Sequence, residues 1–324
     1  LLPDLGPGNR LSLVRGICIG LLAGFLFGPW PQGAMAWMLV LLYTVTDIAD
    51  FFDGFLARRS DHVTALGSRL DIEFDSLGTM VVILLAVSFG QLPIWYVILG
   101  FARYFFLIGL WLRSRLGRPT FELSPSAHRR VFAGFQMGFL SVVLWPILPR
   151  PLAVISGTIF GAATGVGFLR DWLVVSGGLD PATAYYVQTQ QLLYRVIARM
   201  LPCIWRVLLP LAMTAILLNI LPPFPPVTWQ QLIRQWGSPW ADALAAGVCV
   251  LVIVVTPLIT LGVLARFLSI TLILPIGLDM ATRGLQWDNG LALVSAILLQ
   301  LLGPGPMALW PLEERYLFRH LGGR

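Results

Sequence analysis

The chain has 324 residues, 57% of them hydrophobic and only 12% charged, with a mean hydropathy of +0.80. A soluble domain carries about twice that charged fraction. Many apolar runs here reach the roughly 20 residues that a helix needs to cross a hydrocarbon core, which excludes a water-soluble globule. Lipid offers bare backbone no hydrogen-bond partner, and no run alternates like an outer-membrane barrel strand, so an all-α integral membrane protein is expected.

The net charge is +6, and every one of the 22 basic residues is arginine. Such a surplus fits topogenic charge at membrane boundaries or work on phosphate-rich lipids. Nucleic acid, which calls for an exposed basic face, is not expected as a partner. Cys18, Cys203 and Cys249 lie in separate apolar stretches. They form neither a metal-ligand pair nor a disulfide framework, and are expected to pack as small hydrophobes. No cleavable signal peptide is expected.

Ten membrane helices are predicted in chain order, over 11–28, 33–57, 70–90, 93–113, 129–148, 152–175, 200–221, 241–264, 266–282 and 290–311. Pro- and Gly-rich breaks punctuate them at Pro29-Trp30-Pro31, Pro149-Arg150-Pro151, Pro222-Pro223-Phe224-Pro225-Pro226 and Gly303-Pro304-Gly305-Pro306. In this arrangement Arg150, Arg234 and Arg283 fall on one side, Arg103 and Arg206 lie within helices, and all other arginines fall on the opposite side. The rich side is then cytoplasmic, with both termini inside and the chain resident in the cell membrane. The polar stretch 177–199 is expected to link a six-helix module over 1–176 to a four-helix module over 200–324. No internal repeat relates the two.

The end of the second helix and the start of the third carry the chemistry. Asp50-Phe51-Phe52-Asp53-Gly54-Phe55-Leu56-Ala57-Arg58 is followed after eight residues by Gly67, then by Asp71 and Asp75. On a helix, Asp50 and Asp53 stand at i, i+3 and Asp71 and Asp75 at i, i+4, so each pair shares a face. Glu73 points away from the second pair. Each aspartate taken singly could cap a helix end or pair with Arg58, Arg59 or Arg69. Four carboxylates converging at a membrane boundary repel one another, and ionisable groups at that depth are functional by default. Divalent cations resolve the conflict. Hard oxygen ligands suit Mg²⁺ or Mn²⁺, and no His or Cys pair lies nearby to suggest zinc. Two such ions can bind a pyrophosphate and stabilise a leaving phosphate.

The pattern D-x-x-D-G-x-x-A-R, eight residues, G-x-x-x-D-x-x-x-D resembles the signature of the CDP-alcohol phosphotransferase family at every position. The resemblance implies a six-helix module with two divalent metals, Mg²⁺ or Mn²⁺. It implies transfer of a phosphatidyl-type group from a CDP-linked lipid donor to an alcohol acceptor, releasing CMP. Asp50, Asp53 and Asp71 would be metal ligands, and Asp75 would complete the metal site and act as general base. Gly54, Ala57, Arg58 and Gly67 would border the cytidine diphosphate, and a homodimer would follow the family's tendency. Asn9-Arg10-Leu11-Ser12-Leu13-Val14-Arg15 is similar to the segment that precedes helix 1 in many members. Ser126-Ala127-His128-Arg129-Arg130 resembles the basic segment opening helix 5, although many members have Gly-Lys and a downstream Lys-Thr there. The match runs over roughly residues 8–175.

Arg103 lies mid-helix, where a cation should face an aqueous cavity or a carboxylate. With Arg113, Arg129 and Arg130 it is a candidate phosphate-binding group, because the planar guanidinium fork suits a phosphate. The alternative is a topogenic cluster on the cytoplasmic face. The preferred acceptor is therefore a phosphorylated polyol such as glycerol 3-phosphate or inositol phosphate. A free alcohol such as choline, ethanolamine or serine stays open, as does a soluble CDP-polyol donor. A lipid scaffold or transporter would spread its carboxylates through several helix centres. In the last four helices Asp279 and Arg206 are the main polar residues. The segment from Asp288-Asn289-Gly290 to Gly303-Pro304-Gly305-Pro306 resembles the last helix of small four-helix DoxX-like membrane proteins.

Overall fold

The computed structural model describes residues 7–59, 65–123, 127–195 and 199–310. Within those stretches, residues 7–10, 34, 51–59, 65–66, 68, 127–132, 189–190 and 193–195 are described by backbone alone. Helices α1 (Pro7–Gly24), α2 (Ala34–Arg59) and α3 (Ala65–Ser88) come first. Pro7 suits an opening helical position, since its missing N–H needs no partner there. Gly90, in the left-handed region at φ +74, closes α3 by donating to the Val87 carbonyl while Gln91 donates to Ala86.

The fourth predicted helix is bent. A 3₁₀ turn at Ile94–Tyr96 leads into α4 (Val97–Gly100), and α5 (Ala102–Arg115) follows at 55°. Phe101, with ψ near 0°, is the joint. Beside it Gly100 packs on Ile83 and the Met80 backbone of α3, at 3.4–3.5 Å from where a Cβ would sit. Helices α6 (Ala127–Val143), α7 (Arg150–Val175), α8 (Ala184–Arg195), α9 (Leu201–Ile220), α10 (Val227–Gln235) and α11 (Ala241–Leu261) continue the chain. The ninth predicted helix is two, α12 (Ala265–Thr271) and α13 (Ile273–Arg283), and α14 (Trp287–Leu302) follows. Pro275 has no N–H to give to the Thr271 carbonyl, which accounts for that break. Helices α8 and α10 were not among the ten predicted segments; α10 buries Trp229 and Ile233, four residues apart on one face.

Among the described residues no strand forms, and Val263 and Trp310 make one isolated bridge. Arg150–Val175, Leu201–Ile220, Ala241–Leu261 and Ala265–Arg283 are long and apolar enough to cross a membrane, and the bent α4/α5 pair makes a fifth if it is one span. The protein is thus an all-α membrane protein. Its spanning helices are apolar on both faces for that reason. On α9, Leu209, Ala212, Met213 and Ile216 are buried, while Ile204, Val207, Leu211 and Leu218 stand exposed. In water the second set would be polar; in hydrocarbon it faces lipid.

The chain divides into two compact units, residues 1–120 with 136–157 and residues 121–135 with 158–324. The first unit is built on α1, α2 and α3, with Leu22, Leu39, Tyr43, Val82 and Leu85 in its core. The core of the second unit includes Leu209, Cys249, Ile276, Leu293 and Ala296. It also encloses an ionic network. Arg283 donates twice to Asp279, each at 2.7 Å, and once to Asp288 at 2.8 Å. Asn219 donates to Asp288 at 2.9 Å and Asn289 to Asp279 at 2.8 Å. Both carboxylates are fully buried. Arg266, also buried, donates to the Gln300 and Leu301 carbonyls at the end of α14, where a cation meets the negative end of the helix dipole.

Candidate active site

Helix α2 supplies Asp50, and α3 supplies Asp71 and Asp75. One oxygen from each carboxylate lies within 4.8 Å of the others. At that separation two carboxylates repel by about 3 kcal/mol at an effective dielectric of 20. Part of this is offset by a residue whose role the sequence did not disclose. Arg15 of α1 is 1% exposed. Its Nη1 donates to Asp71 Oδ1 at 2.9 Å, and its Nη2 pairs with Asp50 Oδ1 at 2.8 Å and with Asp75 Oδ1. In the sequence Arg15 reads as one of the arginines of the cytoplasmic side, in the segment that resembles the entry to helix 1; the structure places it within α1.

Two glycines let the helices approach. A Cβ on Gly16 would lie 2.8 Å from the Phe74 ring, so the helices close together one residue after Arg15 and one before Asp75. On α3, Gly78 sits under the Ile19 side chain, 3.3 Å from the position of a Cβ.

The donor set is three carboxylates without sulfur or imidazole, and this fits a hard divalent cation such as Mg²⁺ or Mn²⁺. Asp53, Gly54, Ala57 and Arg58 lie on the last turns of α2, and their side chains fall outside the described residues. Gly67 lies in the first turn of α3, one helical turn before Asp71. Asp47, one turn before Asp50, accepts a hydrogen bond from Ser141 of α6, and Gln136 of α6 donates to the Tyr96 hydroxyl at 2.6 Å.

Arg103 lies in the first turn of α5, not mid-helix, and its Nη2 donates to Glu73 at 2.6 Å in an exposed pair. Glu73 lies between Asp71 and Asp75 but is not in their cluster. Arg113 donates to the Pro119 carbonyl at 2.7 Å. The Arg129 and Arg130 side chains, near the start of α6, lie outside the described residues.

A model of the CDP-alcohol phosphatidyltransferase family matches residues 7–176, more than half of the chain. This chain belongs to that family. Asp50, Asp53, Asp71 and Asp75, the joined helices α2 and α3, and Arg15 all fall inside the match. Over 140 residues the chain is 27% identical to proteins named putative cardiolipin synthase in Mycobacterium tuberculosis and Mycobacterium bovis, covering 42% of this chain and 63% of theirs. Over 107 residues it is 34% identical to the CDP-diacylglycerol–glycerol-3-phosphate 3-phosphatidyltransferase of Rickettsia bellii, covering 32% of this chain and 56% of that protein. The chain therefore spans less than two thirds of the length of these relatives. No solved structure matches it. Members of the family are generally dependent on divalent metal, and the acidic cluster of α2 and α3 is of the kind such metals require.

Proposed function

We propose that this chain is a membrane phosphotransferase of phospholipid biosynthesis. It would move a phosphatidyl group from CDP-diacylglycerol to a phosphorylated polyol, with glycerol 3-phosphate first among candidates, and release CMP. The observation that carries the reading is the meeting of Asp50, Asp71 and Asp75 on two adjacent helices of the family-matched segment. The name of the Rickettsia relative supports the acceptor. The names of the mycobacterial relatives favour a second reading, in which the acceptor hydroxyl belongs to a lipid such as phosphatidylglycerol.

Asp50, Asp53, Asp71 and Asp75 would hold two divalent cations, which when bound supply neutralising charge for the donor pyrophosphate and the departing CMP. The acceptor hydroxyl gives its proton to Asp75, and its oxygen attacks the phosphorus on the lipid side of the pyrophosphate. The P–O bond to CMP breaks in line, CMP takes the electron pair, and no covalent enzyme intermediate forms. Gly54, Ala57, Arg58 and Gly67 would border the nucleotide. Arg103, Arg113, Arg129 and Arg130 would receive the acceptor phosphate, which must compete with Glu73 for Arg103. The active site would face the cytoplasm, with both termini on that side of the cell membrane. The segment 1–176 would act as the catalytic module, 177–199 as linker and 200–324 as a further membrane module, with a second copy of the chain as partner.

The test is CMP release by the purified chain from CDP-diacylglycerol with Mg²⁺ or Mn²⁺, across glycerol 3-phosphate, inositol phosphate, phosphatidylglycerol and the free alcohols. Metal-dependent release with a phosphorylated polyol, lost in Asp71→Asn, is the expected result. Release with phosphatidylglycerol alone would move the assignment to the second reading. No release with any acceptor from folded, metal-loaded protein would refute both.

A further inference from the structure

Arg15 does something in this site that the family signature, confined to α2 and α3, does not describe. It enters from a third helix, it is buried, and its guanidinium engages one oxygen of each of three carboxylates at once. Asp50, Asp71 and Asp75 meanwhile keep 32%, 43% and 37% of their side chains exposed. The cluster is therefore closed by a fixed cation on one side and keeps exposed carboxylate surface on the other. The placement is built into the packing of α1 on α2 and α3. Gly16, the next residue, admits the Phe74 ring beside Asp75, and Ile19, one turn on, is buried against Gly78.

We propose that Arg15 is a positioning residue of the cation site: by holding Asp50, Asp71 and Asp75 from one side it fixes their orientation so that their exposed sides are presented together to divalent cations. This rests on the cation-site reading above. Two physical effects oppose each other here. A fixed positive charge beside the ligands weakens their attraction for a second cation. Without that charge, three carboxylates at this separation repel, and their side chains turn apart into the open side. The geometry favours the second effect, because one planar guanidinium reaches all three groups, and groups that orient metal ligands typically contribute 10–100-fold in metal affinity. A lysine at position 15 would keep the charge and lose the fork.

The experiment is a Mn²⁺ titration of the purified full-length chain in detergent, with the free ion followed by electron paramagnetic resonance, on wild type, Arg15→Met and Arg15→Lys. The expected result is Mn²⁺ affinity about 10–100-fold weaker in Arg15→Met, with partial rescue in Arg15→Lys. Equal or tighter binding in Arg15→Met would overturn the proposal, since Arg15 would then be neutral or a competitor of the cations. If Arg15→Met does not fold, Arg15→Lys decides alone: weaker binding than wild type supports the fork, and unchanged affinity overturns it. Absence of Mn²⁺ binding by folded wild type would instead strike the cation-site reading itself, and this proposal with it.

Discussion

Replacing Arg283 by methionine tests whether the second unit depends on its buried ionic network. Arg283 makes three hydrogen bonds to Asp279 and Asp288, whose side chains are fully buried. Methionine fills similar space but strands both carboxylates, each left with asparagine donors. Removing one partner of a buried ion pair costs about 3–5 kcal/mol. A stranded carboxylate can escape by taking a proton, which at pH 7 costs an ordinary carboxyl about 4 kcal/mol and so sets a ceiling of the same size. The chain carries its own control. Arg234 pairs with Asp242 at 2.7 Å, but those side chains are 58% and 63% exposed, and such a pair contributes about 0–1 kcal/mol. Thermal unfolding in detergent should therefore show a midpoint lowered by roughly 6–20 °C for Arg283→Met and almost unmoved for Arg234→Met. Equal, small shifts in both variants would refute the claim that burial makes the first network structural.

Three further outcomes are expected. Arg103→Ala should raise the KM for a phosphorylated acceptor by about 10-fold or more, the range of a charge-assisted hydrogen bond, whereas Glu73→Gln should lower it by up to about 5-fold, because the exposed pair it breaks contributes at most about 1 kcal/mol; an unchanged KM in both would remove Arg103 from the acceptor site. Asp75→Asn should reduce kcat about 100-fold or more while Mn²⁺ still binds, and near-full activity at normal metal content would end its assignment as base. Gly262→Ala should destabilise the second unit by about 2 kcal/mol or more, since φ is +75 and a Cβ would lie 2.6 Å from the Ala308 Cα; a thermal midpoint equal to wild type would refute this.

Helix positions were legible because the solvent is lipid. Each of the ten predicted segments contains helix, but among the described residues only four of these helices, or five with the bent α4/α5 pair, are long and apolar enough to cross a membrane. The meeting of Asp71 and Asp75 was legible for a different reason, their i, i+4 spacing, which survives any error in helix boundaries; the i, i+3 partner of Asp50, Asp53, has its side chain outside the described residues. What escaped were features set by tertiary approach. The bend at Phe101 follows from Gly100 lying against α3, and hydropathy carries no record of that contact. The amphipathic α10 was hidden among prolines, although Trp229 and Ile233 are four apart with glutamines between them. Arg15 read only as one of the many arginines on the cytoplasmic side. Its targets lie 56 and 60 residues away on α3, a distance no local pattern bridges.

The two ionic clusters of this chain separate a binding arrangement from a structural one by the balance between charge and donors. At Asp279 and Asp288 two carboxylates meet one guanidinium and two asparagine amides, and the fully buried carboxylates need nothing further. At Asp50, Asp71 and Asp75 three carboxylates meet one guanidinium, and the exposure lies on the acidic side, not on the cation. The formal charge, with every carboxylate counted as ionised, is −1 in the first cluster and −2 in the second. In a membrane protein an uncompensated negative charge at a helix end is costly, and it persists where something soluble and positive is to be received. Sequence depth alone would rank both clusters as functional. The surplus of acceptors over donors, with solvent on the acceptor side, is what supports the proposed cation site in the first unit.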